Sequence, residues 1–145
     1  RRGARALGRD LEKIEQRAAE RLAALAAYGL PEGPSDHLCV ILYELHLLAA
    51  RNPTHARLMT SLWEREVSLY ERVLLEGAER GEWLLRRPSS EVASTAVGLE
   101  DAFGLHIVAR NDLLSTARAH RLLLAYLADA TGTPQLARAA EVSHA

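Results

Sequence analysis

Proline and glycine cut this chain at Gly29–Ser35, Asn52–Pro53, Glu82–Pro88 and Gly132–Pro134, and between these breaks apolar residues recur at helical spacing. Proline removes a backbone donor and glycine favours helix ends, so each break stops a helix and none suits the middle of a strand. From about Arg9 to Tyr28, Leu11, Ile14, Ala18, Leu22 and Leu25 form one stripe. Leu38 to Arg51 is apolar nearly all round, which predicts a helix at the centre of the domain, touched on every side. Thr54 is expected to cap a third helix that breaks near Thr60 or Ser61 and ends at Gly77 or Gly81. Ser89 or Ser90 caps a fourth, with Val92, Ala96, Leu99, Phe103 and Ile107 on one face. A fifth runs from about Ser115 to Ala130, carrying Ala119, Leu122, Leu123, Tyr126 and Leu127.

Composition agrees. Aromatic residues make up 5%, β-branched residues rarely cluster, and alanine, leucine, glutamate and arginine favour helices. The 145 residues, 48% hydrophobic, suffice for one core. The expected fold is therefore all-α, an antiparallel bundle of about five to six helices in one domain spanning 1–145. The tail from about residue 133 is read as loose.

The net charge of −1 gives the chain no overall electrostatic footprint for nucleic acid. The single cysteine, Cys39, excludes an internal disulfide and fits a reducing, cytoplasmic setting. The longest apolar stretch, Leu38 to Ala50, contains Glu44 and His46 and is too short to span a bilayer.

Catalytic patterns are sparse. The only Glu-x-x-His spacing is Glu141 to His144, in the tail, and there is no phosphate-binding glycine loop or nucleophile elbow. The expectation is a non-enzymatic protein without cofactor or metal; an enzyme would have to use His46 or His106 as a base. Amphiphilic residues that interrupt the core stripes carry more. Cys39, Tyr43 and His46 share one helix face, as do Met59, Trp63, Glu66 and Tyr70, and as do Leu99, Phe103 and His106. Aromatic and sulphur-bearing side chains mixed with a few polar tips suit a pocket for a mostly apolar small molecule. The same residues also suit a filled core, in which case the chain would be a ligand-free helical homodimeric module. Gly98, Ala102 and Gly104 would let another helix approach the fourth closely, and Leu122, Leu123 and Tyr126 would complete a homodimer interface on the fifth.

Several runs carry a family resemblance. They are Leu48-Ala49-Ala50-Arg51-Asn52-Pro53, Glu76-Gly77-Ala78-Glu79-Arg80-Gly81-Glu82-Trp83, Leu99-Glu100-Asp101-Ala102-Phe103-Gly104-Leu105-His106 and the closing Ala130-Thr131-Gly132. In order and spacing they resemble the C-terminal effector-binding and dimerisation domain of TetR-family transcriptional repressors, with Ala102 where that family often has glycine. The resemblance implies a homodimer that binds a small apolar effector and thereby releases DNA. It also implies that DNA is met only through an N-terminal helix-turn-helix not present in this sequence. The helix from Arg9 to Tyr28 would connect the two halves, and Tyr43, His46, Trp63 and Phe103 would enclose the effector.

Overall fold

A computed structural model describes residues 17–142, all of whose regular structure is helical. Its helices are α1 (Ala18–Tyr28), α2 (His37–Ala49), α3 (Pro53–Glu79), α4 (Ser89–Val108), α5 (Thr116–Thr131) and α6 (Gln135–Val142). Leu11 and Ile14 of the first expected stripe lie outside the described residues. No described helix is long and apolar enough to cross a membrane.

Local chemistry sets the helix ends. Asn52 caps α3, its Oδ1 accepting from the Thr54 and His55 amides at 2.9 and 3.3 Å, with Pro53 as the first helical residue. The expected break near Thr60 does not occur: α3 runs uninterrupted, and the Thr60 hydroxyl finds its partner inside the helix, on the Ala56 carbonyl at 3.0 Å. Neither Ser89 nor Ser90 caps α4; Ser89 Oγ instead donates to Glu71 of α3 at 2.8 Å. Ser115 caps α5, and Gly132 ends it in the left-handed conformation, φ 64°. Arg17 offers α1 no side-chain cap; Glu82, from the α3–α4 connection, accepts from the Ala18 and Ala19 amides at 2.9 and 3.3 Å.

α3 packs against α1, α2 and α4, while α5 lies against α4, α6 and α1. The core joins Ala18, Leu22 and Ala26 of α1 to Tyr70 and Leu74, to Val92, Ala93, Ala96 and Val97, and to Leu123, Leu124 and Leu127. A smaller cluster of Leu30, Ile107 and Ala119 closes the end where α1 leaves the bundle. The tail expected to be loose forms α6, whose Leu136 is buried in the main core.

The expected central helix is overturned as well. The apolar helix α2 is not central, and none of its residues is fully buried. It lies on the outside of α3 and α4, with Leu38 81% and Leu47 78% exposed. Hydrophobicity on every side reads as burial only when other elements cover every side. Here the core is filled by α1 and α5, whose alanines allow close approach.

Candidate ligand groove

The outward position of α2 opens a groove between it and the second half of α4. Val40 and Leu47 of α2 face Ala102, Leu105 and Val108 of α4 and Ala109 just past its end, and Tyr43, Glu44, His46 and Asp101 supply the polar points. The groove holds about 470 Å³, within the span typical of small-molecule sites. It stays open to solvent on one side.

Tyr43 forms the floor. Its hydroxyl donates to the Asp101 carbonyl at 2.9 Å, and the phenol tip rests on Gly104, where a methyl group would overlap the oxygen. Glycine is therefore required there for the approach of α2, so the close contact is made within the chain and not with the partner helix expected of this position. The ring stacks on His46 with centroids 6.0 Å apart. His46 Nδ1 lies 2.9 Å from the Leu42 carbonyl. A carbonyl only accepts, so Nδ1 carries a proton.

Beneath His46 is a second, tighter cleft of about 20 Å³, lined by Leu42, Met59, Leu62, Trp63, Glu66 and Asp101. It has room for about one water molecule. Burial raises the Glu66 and Asp101 carboxyls above the ordinary carboxylate range, and the neighbouring His46 opposes both shifts. Burial, followed by the charge of Asp101, likewise raises the Tyr43 phenol. The Cys39 thiol is pushed up to about 11 by burial and then by the Asp36 carboxylate, so it remains a thiol at neutral pH.

The ten side chains expected to line a site therefore divide. Tyr43 and His46 reach the groove, and His46, Met59, Trp63 and Glu66 meet at the small cleft. Tyr70 is sealed in the core, with Leu99 and Phe103 packed against it. His106 is exposed and pairs with Asn111 at 3.2 Å, while Cys39 sits half-buried near the capping Asp36. Phe103 thus walls neither cavity. Its spacing placed it on the right helix, but α4 turns that face toward the core. From sequence, Ala102, with Gly98 and Gly104, goes to a partner surface and Leu105 and Ala109 receive no role, so the groove's apolar wall is missed. The i, i+3, i+7 pattern of Ala102, Leu105 and Ala109 was the available signal.

The expected dimer residues divide too. Gly98 has open space where a Cβ would sit, and Ala102 and Leu122 are exposed. Leu123 and Gly104 are buried within the chain and cannot meet a partner, while Tyr126 packs partly against the core. Along α5 the exposed stripe is Arg118, Arg121, Leu122, Ala125 and Asp129. Among the described residues neither Arg121 nor Asp129 forms an ion pair. In comparisons with known protein families, curated proteins and solved structures, nothing matches this chain.

Proposed function

We propose that the chain is the effector-binding and dimerisation domain of a TetR-like transcriptional repressor, taking a mostly apolar small molecule in the α2–α4 groove. The observation that carries this reading is the groove itself. It has six apolar residues on two walls and a polar floor of Tyr43, His46 and Asp101 that can orient one ligand group. DNA would be met through a helix-turn-helix outside this sequence, and effector binding would act by favouring the DNA-released arrangement.

The dimer would use the outer faces of α4 and α5. Arg121 and Asp129 lie four residues either side of exposed Ala125. A two-fold axis near Ala125 would therefore set each arginine against the partner's aspartate, the self-complementarity an isologous interface requires.

A second reading is a ligand-free homodimeric module, and the filled core around Tyr70 and Phe103 favours it. Thermal unfolding with a panel of apolar small molecules separates the two. A ligand at 100 times its Kd adds about 2.7 kcal/mol, a rise of several degrees. Under the effector reading that rise is absent in Ala102→Trp, which fills the groove from an exposed position. No rise across the panel leaves the module.

A further inference from the structure

Outside the groove, one carboxyl occupies the junction of three helices. Glu100 of α4 is only 6% exposed. Its Oε1 accepts from the Tyr70 hydroxyl of α3. The same carboxyl group lies on Gly29, the residue that ends α1, so closely that a methyl there would overlap it. We propose that Glu100 is a proton-controlled pin: protonated, it holds the C-terminal end of α1 against α3 and α4, and its ionisation frees that end and the following loop while the α3–α5 core stays folded.

The groups around it leave the charged form poorly served. From α3 come Tyr70 and Glu66, from α4 itself Asp101, and from α2 Tyr43. α1 contributes Gly29, with Tyr28 turned to solvent. The titratable residue buried on α5, His120, has its Nε2 3.2 Å from the Ala23 carbonyl of α1. Among the described residues no cation is among the groups that set the charge state of Glu100, and its acidic neighbours Glu66 and Asp101 repel a further negative charge. Burial holds the carboxyl up at about 8, although the Tyr70 bond favours ionisation. A carboxylate formed there must reach water or remain desolvated. The shortest route passes exposed Gly29: the buried residues that α1 gives the main cluster, Ala18, Leu22 and Ala26, all precede it, so opening there gives up only the small cluster of Leu30 with Ile107 and Ala119 and the Thr116–Pro31 bond. The other end of α1 is fixed separately by Glu82, so the helix has a hinge end and a releasable end.

The sign follows from linkage. The folded-state value lies above that of an unfolded glutamate, so the pin is fully set in acid and is lost as pH rises through about 8. Hydrogen exchange followed from pH 6 to 9.5, corrected for intrinsic rates, tests it. Wild type is expected to lose about tenfold protection or more at Leu25–Leu30 between pH 7 and 9, with α5 amides unchanged; tenfold corresponds to about 1.4 kcal/mol. Glu100→Gln keeps the neutral shape and should show no such loss. Tyr70→Phe removes the bond that favours the carboxylate, so its midpoint should move to higher pH. A flat wild-type profile, the same loss in Glu100→Gln, or equal loss in α5 would overturn the proposal. If Glu100→Gln does not fold, Tyr70→Phe decides alone, and an unmoved or lowered midpoint overturns it.

Discussion

The indole of Trp83 lies against Gly77, and its Nε1 donates to the Leu74 carbonyl at 2.9 Å. This contact fastens the chain leaving α3 back onto the helix it has just left. A Cβ at Gly77 would overlap the six-membered ring, so Gly77→Ala must displace the indole and break its bond. Alanine's better helix propensity, ~1 kcal/mol, offsets part of an overpacking cost of ~1–3 kcal/mol and a lost hydrogen bond of ~1 kcal/mol. The expected outcome is a net loss of ~1–3 kcal/mol and a lower Tm. Gly98→Ala is the contrasting control: nothing lies within 4 Å of its missing Cβ, so dilute protein should gain ~0.5–1 kcal/mol. Calorimetry on the two variants checks the pair.

Glu82 does for α1 what a local cap does elsewhere, from sixty-four residues away in sequence. Glu82→Ala leaves two amide donors at the start of α1 without their acceptor and removes a negative charge from a helix N-terminus. The expected cost is ~1–2 kcal/mol. It should appear as fraying of the first turn of α1, which amide exchange resolves residue by residue.

Cys39 should react slowly despite being only half-buried. With the thiol held up to about 11, against a reference of 9.0, the thiolate fraction at pH 8 is about a hundredfold smaller than that of a free cysteine. Alkylation by iodoacetamide at pH 8 should be slower than on the urea-unfolded chain by that order. Asp36→Asn removes the second-largest cause of the shift and should speed the reaction in folded protein.

The dimer is tested by charge exchange. Arg121→Asp places like charges across the proposed axis and should weaken self-association. The double variant Arg121→Asp with Asp129→Arg restores opposite charges and should recover it. Exposed pairs contribute ~0.2–1 kcal/mol each, so two symmetric pairs change Kd about 2- to 30-fold. Sedimentation of the three proteins over a concentration series gives the answer, and equal Kd values would remove the α5 stripe from the interface.

Helix type and most boundaries were readable because proline, glycine and the capping residues act locally. Ser115 and Gly132 sit where their chemistry places them, and the α3 register follows from its apolar spacing. What spacing leaves open is which neighbour covers a face. α2 and α5 are both rich in leucine, yet only α5 contributes to the buried core, since the alanines of α1 and α4 let it approach, while α2 touches the bundle on one side only, where Tyr43 meets Gly104. The same ambiguity places Phe103 in a pocket and Ala102 at a partner surface alone. α6 went unread because its eight residues begin just past a stop signal, and short segments carry little periodicity. Glu100 gave no sequence signal at all: its neighbours Gly29 and Tyr70 are far away along the chain.

The outward seat of α2 also divides the molecule energetically. A helix that seals none of its own residues can detach while losing little buried surface, so its opening is a local excursion well below the free energy of global unfolding. α2 is therefore a cooperative unit of its own, joined to a more stable one through α3 and the Tyr43 anchor. One wall of the groove is thus the lightly packed α2 and the other the core helix α4, so the first is the one that can re-seat around occupants of different shape.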